Sequence, residues 1–468
     1  MNRRTFLPLL GATASSRAFS APSSRPPNIV IVLCDDLGYG DLHCFGHPTI
    51  QTPNLDRFAA QGTRFTDFYA SAPVCSPSRA GLLTGRTPDR CGIYDWIPAN
   101  NPMHLRREEI TWASLLRDHG YATCLSGKWH LNGFFNSPRQ PQPGDHGFQH
   151  WFATQNNAAP THENPVNFVR NGKAVGPLQG YSSTVIADEA MRWLDTLDSK
   201  SPFALHVCFH SPHEPIATAE EFTGRYPMAD PRNRANYYGN VTQMDHEFGR
   251  LMAALQRRGS VQDTLILFTS DNGPETLLRY PGAARSYGSA APFRSMKLSL
   301  YEGGYRVPGV IQWPGRLKPG RTEAMPACTL DLLPTFCDTA GIPLPKDRHI
   351  DGASLLPWIQ GRRVKRARPL HWHYFNAIDA PRASLRDGDW KIVGCANGPS
   401  RRPGGGFTPA DMPLIKDASL PRFELYNLRT DPGEKKDLSS TEPARFAALR
   451  RQLEALHTEV RAEAPTWN

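Results

Sequence analysis

Ile29-Val30-Ile31-Val32-Leu33, running straight into Asp35-Asp36-Leu37-Gly38-Tyr39-Gly40, is the stretch on which the reading of this 468-residue chain turns. A β-branched run without polar alternation predicts a strand buried on both faces, as in a parallel sheet covered by helices. The pattern returns at Thr264-Leu265-Ile266-Leu267-Phe268-Thr269, which runs into Asp271-Asn272-Gly273. Ligands of open parallel sheets gather beyond the carboxyl ends of the strands. Two such strands therefore place Asp35, Asp36, Asp271 and Asn272 along one edge. Three carboxylates crowded together repel one another unless a cation lies between them. Hard oxygen donors without His or Cys suit calcium or magnesium better than zinc.

Between these strands, helical spacing is expected over residues 54–61, 112–118, 187–197 and 244–257, the last with Phe248, Leu251, Met252 and Leu255 on its core face. The apolar run 203–209 completes an α/β alternation. A basic break follows at Gly361-Arg362-Arg363-Val364-Lys365-Arg366. Beyond it, short strands are expected over 370–375, 389–393 and 423–428, then a helix with Phe446, Leu449, Leu453, Leu456 and Val460 on one face. The fold expected is a mixed, mostly parallel sheet flanked by helices, with a small C-terminal antiparallel sheet and a helix. The corresponding divisions are 27–365 and 366–468. Residues 394–414 hold no motif that can be read.

Composition narrows the function classes. The chain holds 43 Pro and 38 Gly, below the roughly 25–30% that marks low complexity, so long ordered loops are expected. Its longest apolar run, 29–34, is far short of the ~20 residues that span a bilayer, and no membrane span is expected. The net charge is +9, but Lys and Arg are scattered and form no stripe for nucleic acid. The excess suits an anionic substrate. Nine cysteines without a CxxC pair indicate neither a zinc site nor a dense disulfide framework.

No acidic residue precedes Asp35, while Arg3-Arg4 is followed by Thr5-Phe6-Leu7, a short weakly apolar stretch and Ala18-Phe19-Ser20. Residues 1–26 resemble a bacterial twin-arginine signal, of the kind that exports folded proteins to the periplasm or beyond. Cleavage near Ser20 would remove Arg3, Arg4 and Arg17 and lower the net charge by three.

The segment from Ala72 to Arg86 contains Cys75-Ser76-Pro77-Ser78-Arg79 and Thr84-Gly85. A small polar loop opening onto a helix would put Cys75 at the positive end of the dipole, which favours an anionic nucleophile or ligand. Here the chain resembles the type I sulfatases of the alkaline-phosphatase-like superfamily, in particular the arylsulfatase and N-acetylgalactosamine-6-sulfatase type, whose signature is Cys-x-Pro-Ser-Arg followed by Thr-Gly. The resemblance implies that fold, and a Cys75 oxidised to formylglycine by a maturation enzyme. The aldehyde hydrates to a diol. One hydroxyl attacks sulfur and expels the alcohol, and the other then expels sulfate, which splits the reaction into two easier steps.

Further residues extend the resemblance. Gly127-Lys128-Trp129-His130 looks like the family's GKWH element, in which Lys128 would bind sulfate or the diol and His130 would take the proton that releases sulfate. Ser211-Pro212-His213-Glu214-Pro215 resembles the His-x-Pro element, with His213 helping to protonate the leaving oxygen. Lys297, ahead of Glu302-Gly303-Gly304-Tyr305-Arg306-Val307-Pro308, matches the lysine that holds a sulfate oxygen. Asp35, Asp36, Asp271 and Asn272, with the oxidised Cys75, match the calcium ligands. Arg79, Lys128, Lys297 and Ca²⁺ would together stabilise charge growing on sulfuryl oxygens. Residues 427–438 resemble the family's closing motif.

The reading is an exported sulfatase of sulfated carbohydrate, with galactose or N-acetylgalactosamine sulfates of a polysaccharide as candidates. Residues 94–103 and 154–164, rich in Asn, His and aromatic residues, are the expected specificity loops. Two alternatives stand beside it. One is a formylglycine-dependent phosphonate monoester or phosphodiester hydrolase. The other is a sulfated-glycan-binding protein whose catalysis has lapsed.

Overall fold

In a pleated strand successive side chains point to opposite faces, so a strand apolar at every position needs a core on each side. Asn28–Cys34 (β1) has both. Ile29, Ile31 and Leu33 enter one buried cluster, while Val30, Val32 and Cys34 enter another. The computed structural model describes residues 26–227, 233–276, 286–396 and 406–468. All but the last residue of the expected targeting segment 1–26 lies outside them, as does much of the 394–414 stretch.

The large sheet is built on β1, β2 (Thr63–Phe65), β3 (Ala122–Lys128), β4 (His150–Thr154), β5 (Phe203–Cys208), β6 (Thr264–Ser270) and β7 (Gly309–Gln312), in the order β2-β7-β6-β1-β5-β3-β4, with short strands added at both edges. The strands from β6 to β4 run parallel, and β7 runs antiparallel to β6 and β2. Cys34 pairs with Ser270, so the chain leaves β1 and β6 at the same level. That register brings the two acidic pairs side by side.

Helices α1 (Pro53–Gln61), α2 (Cys75–Thr84), α3 (Trp112–Asp118), α4 (Ser182–Thr196), α5 (Arg234–Arg257), α6 (Leu332–Ala340) and α7 (Pro443–Glu463) cover the sheets. Leu55, Ala190, Phe248 and Leu251 of α1, α4 and α5 pack on the face of Val30 and Val32. Leu82, Trp112 and Phe336 of α2, α3 and α6 pack on the other.

Helix α5 begins at Arg234, well before the expected residue 244. Its first turns are polar yet buried, because the Asn240 amide donates to Ala217 O and the Gln243 amide oxygen accepts from Ala219 N. Those bonds replace the apolar stripe that marks a helix in sequence. Helix α4 likewise begins at Ser182 rather than 187.

The small antiparallel sheet runs β8 (Leu370–His373), β9 (Pro381–Asp387), β10 (Trp390–Cys395) and β11 (Arg422–Asn427). Strand β9 was not expected. It opens on a proline and carries two arginines, so only Ala383 and Leu385 show a core pattern. These two pack with Ile392 and Leu425 against Leu449, Leu453 and Leu456 of α7. Among the described residues no helix is long and apolar enough to cross a membrane.

Candidate active site

Helix α2 starts at Cys75, with Val74 extended ahead of it, so the thiol sits at the helix N-terminus as its sequence implied. All ten residues of α2 are buried. Burial outweighs the attraction of Lys128 and Lys297 and pushes the Cys75 thiol up to about 11. An unmodified thiol here is therefore protonated at neutral pH, and the anionic sulfur expected from the helix dipole alone does not form.

The acids meet at the ends of β1 and β6. The Asp36 backbone N–H donates to Asp271 Oδ1 at 3.2 Å, and the Asn272 amide donates to Asp36 Oδ1 at 2.7 Å. Burial opposes ionisation of Asp35, but Lys128, His213 and Arg79 outweigh it and hold the carboxyl well below the usual range. Burial is likewise outweighed at Asp36, by Lys297 and His213. Asp271 is pushed up to about 7 by burial and then by the charge of Asp35.

The donor set fits a hard divalent cation. Asp35 Oδ1 and Asn272 Oδ1 are buried acceptors with no hydrogen-bond partner, an arrangement that costs free energy unless something positive meets them. Ligand atoms of Asp35, Asp36 and His213 lie within 4.8 Å of one another. His213 thus stands closer to the acids than its sequence motif indicated.

Three cations enclose this cluster. Lys128, the last residue of β3, brings Nζ to 2.5 Å from Asp35 Oδ2. Lys297 Nζ lies 2.7 Å from the Asp36 carboxylate and 4.0 Å from Glu275. Arg79 faces the acids with every nitrogen given a contact: Nε and Nη2 reach Asp271 Oδ2 at 3.0 and 2.7 Å, and Nη1 donates to Lys128 O at 2.9 Å. Lys128 owes its position to Gly127, whose φ is 118° and where a Cβ would fall 1.9 Å from Cys208 O. Only glycine lets β3 pass β5 this closely.

The two histidines are in different states. His130 Nε2 lies 3.1 Å from Ile97 O, which can only accept, so Nε2 carries the proton and the buried, unpartnered Nδ1 is a free lone pair. Burial, then Lys128 and Arg79, keep its pKa well below the usual value. His213 donates from Nδ1 to Glu214 O and turns Nε2 toward Asp36 Oδ2 at 3.6 Å. Burial lowers His213 to about 4. Asp36 and His130, together with Ser295 and Leu298 flanking Lys297, hold left-handed φ of 58–70°, a strained choice for such residues that concentrates where geometry is imposed.

Sequence reasoning did not single out His162 or His210. Their rings lie 5.1 Å apart, and His210 Nε2 is 2.8 Å from Thr154 Oγ1. Both nitrogens of His162 are buried without a partner. His162 falls within the expected specificity loop, and His210 stands three residues before His213, so position was the one available signal. In the other expected loop, Asp95 accepts from Tyr374 and Asn376, and Ile97 O holds His130.

A family model described as Sulfatase matches residues 27–342. The chain belongs to the sulfatase family. It is an enzyme of sulfuric ester hydrolysis, and the resemblance carried by Cys75 to Arg79 is borne out together with the expected mixed, mostly parallel fold. A second model, described as N-sulphoglucosamine sulphohydrolase, C-terminal, matches residues 295–396. The sulfatase is 36% identical over 445 residues to arylsulfatase A of Homo sapiens, across 89% of this chain and 84% of that protein. It is 33% identical over 405 residues to N-acetylgalactosamine-6-sulfatase of Rattus norvegicus, across 81% of this chain and 73% of the relative. A crystal structure of Ps i-CgsB in complex with k-i-k-neocarrahexaose is similar with a TM-score of 0.77 at 26% identity, across 92% of this chain and 93% of that one.

Proposed function

We propose that this sulfatase removes sulfate from a sulfated carbohydrate, with Cys75 converted to formylglycine as nucleophile and calcium held by Asp35, Asp36, Asp271, Asn272 and the oxidised residue 75. One observation carries the reading: a helix-terminal Cys75, two buried lysines and a buried cluster of oxygen donors meet at one edge of the sheet. The carbohydrate is supported by the N-acetylgalactosamine-6-sulfatase relative and by the neighbour bound to neocarrahexaose. Residues 1–26 serve as an export signal to the periplasm or beyond, residues 27–365 form the catalytic division, and 366–468 form a subdomain beside it. A separate enzyme of the producing cell generates the formylglycine.

Calcium supplies charge neutralisation and Lewis acidity at this cluster, and formylglycine supplies a hydroxyl nucleophile that the protonated thiol lacks. The chain does the rest. Lys128 and Lys297, now drawn onto Asp35 and Asp36, are within reach of sulfate oxygens once a cation neutralises those acids, and they stabilise the charge that grows there. Arg79 acts as a positioning residue, because its guanidinium is committed to Asp271 and to the backbone of Lys128. His130 accepts a proton at Nδ1, its Nε2–H anchored on Ile97 O. His213 Nε2 faces the leaving oxygen and delivers a proton only after acquiring one.

Mass spectrometry of the peptide containing Cys75, from protein made with a formylglycine-generating enzyme, should show the aldehyde. Turnover of matched aryl sulfate and phosphodiester esters is the second readout, with sulfate preferred. A strong phosphodiester preference would favour the phosphonate or phosphodiester hydrolase instead. Retained glycan binding in Cys75→Ala, with no sulfate released by fully matured wild type, would leave the lapsed binding protein as the better account.

A further inference from the structure

We propose that the cleft of ≈ 400 Å³ between residues 104–108, residues 138–141 and Trp467 is a subsite for a second anionic sugar residue of the substrate chain. The proposal rests on the sulfated-carbohydrate reading and adds a recognition site that the catalytic residues do not touch.

The chemistry of the walls names the ligand. Arg106, Arg107 and Arg139 line the cleft, against Glu108 as the one acidic lining residue. Arg106 is paired with Glu108 at 3.3 Å and with Glu109 at 3.1 Å, so the positive charge left over is that of Arg139. Arg107 is exposed and reaches Asp145. The Arg139 guanidinium lies 3.6 Å from the Phe134 ring, and among the described residues no carboxylate pairs with it. The ring beneath it fixes its position, so it meets an anion with little further loss of freedom. Arg106 keeps a buried Nε–H without a partner. Planar guanidinium forks match sulfate or carboxylate oxygens in pairs.

The sugar ring needs a flat face, and Trp467 supplies one. Its Nε1–H donates to Gly92 O at 2.6 Å, which locks the indole, and His104 packs on it with ring centroids 4.9 Å apart. An indole fixed at its polar end presents carbon surface to the C–H face of a sugar. Phosphate or sulfate alone would make no use of that surface.

The cleft is also joined to the catalytic centre. Ile97 O holds His130 Nε2, and the Gln155 amide donates both to Ile97 O and to Asn132 O. Further along the same two loops, the Gln140 side chain accepts from Gly133 N and Phe134 N and donates to Asn101 O and Pro102 O. The residues that position His130 thus continue, bonded loop to loop, into the walls of the cleft. A polymer lying across both would be held in register with the sulfate to be removed.

The test is calorimetric titration of Cys75→Ala protein with sulfated maltohexaose, unsulfated maltohexaose and oligothymidylate. The expected result is binding of the sulfated sugar alone, weakened about tenfold by Arg107→Ala/Arg139→Ala and by Trp467→Ala, and largely kept by Trp467→Phe. In the matured enzyme the same arginine variants should leave aryl sulfate turnover and Tm unchanged, which excludes misfolding. Equal binding by the double variant and its parent overturns the subsite, as does oligothymidylate binding as tightly as the sulfated sugar. The substrate reading fails separately: wild type that binds sulfated maltohexaose through these residues, yet releases sulfate from aryl esters and from no sulfated oligosaccharide, sinks that reading and leaves the subsite standing.

Discussion

Arg79 grips Oδ2 of Asp271 from two nitrogens, Nε at 3.0 Å and Nη2 at 2.7 Å, across a gap that is closed to solvent. Because Arg79 sits one turn into α2 and Asp271 just beyond β6, this fork ties the helix of the proposed nucleophile to the proposed metal-binding edge. Arg79→Lys keeps the charge but cannot span both the carboxylate and Lys128 O. We expect calcium affinity and kcat each to fall by about 10–100-fold, with KM changed little. Calcium titration beside steady-state kinetics checks this, and an unchanged calcium affinity would count against it.

Removing the metal should loosen the same edge. Without the metal, Asp35, Asp36 and Asp271 rely on Lys128, Lys297 and Arg79 alone, and Asp271 is already pushed up to about 7 by burial and Asp35. Chelation is expected to abolish turnover and to lower the unfolding free energy by the ~2.7 kcal/mol that a ligand at a hundred times its Kd confers, with a matching fall in Tm. Asp271→Ala protein should have lost activity beforehand and show no Tm response to chelator. A Tm response preserved in that variant would move the metal elsewhere.

Gly127→Ala tests the strand crossing. The added Cβ would meet Cys208 O at 1.9 Å, with φ at 118°, so backbone must move and Lys128 moves with it. A loss of more than ~3 kcal/mol in urea unfolding is expected, with turnover lost in whatever folds. A variant of wild-type stability would mean that β3 and β5 separate more easily than their packing implies.

Glu189 of α4 supplies a pH dependence of its own. Burial would raise its pKa, but hydrogen bonds from Arg170, His150 and Arg192 outweigh burial and hold it well below the usual glutamate value. A carboxyl depressed by folding contributes stability that is fully present above the unfolded pKa near 4.3 and is lost as pH falls from there through the folded-state value. Glu189→Gln should be less stable than wild type at pH 7 by on the order of 2 kcal/mol, and the gap should shrink progressively from about pH 5 downward and close only as pH falls through the depressed folded-state value, well below about pH 3. Chemical denaturation of both proteins across that range provides the comparison, and a constant gap would refute the assignment.

Much of this architecture could be read from residues whose neighbours in sequence are also their neighbours in space. The apolar run of β1 announced a two-sided core, and the acids that follow it announced the edge. What stayed hidden depends on partners brought from afar. The fork of Arg79 onto Asp271, the polar first turns of α5 and the arginine-bearing strand β9 owe their places to bonds across the fold, which leave no periodic trace. The state of Cys75 belongs with these. A helix N-terminus argues for an anion, and only the finished packing reveals that burial wins.

That packing also imposes a timetable. Cys75 is 3% exposed, on a helix with no exposed residue. Under the proposed maturation, an enzyme that must grasp the sulfur and the chain around it can do so only while α2 is still unformed. On that proposal oxidation would come first and folding second, and export through the proposed twin-arginine route would come last. On the same proposal the proportion of working molecules would be settled during synthesis, and a chain that folded too soon would stay inert for its lifetime.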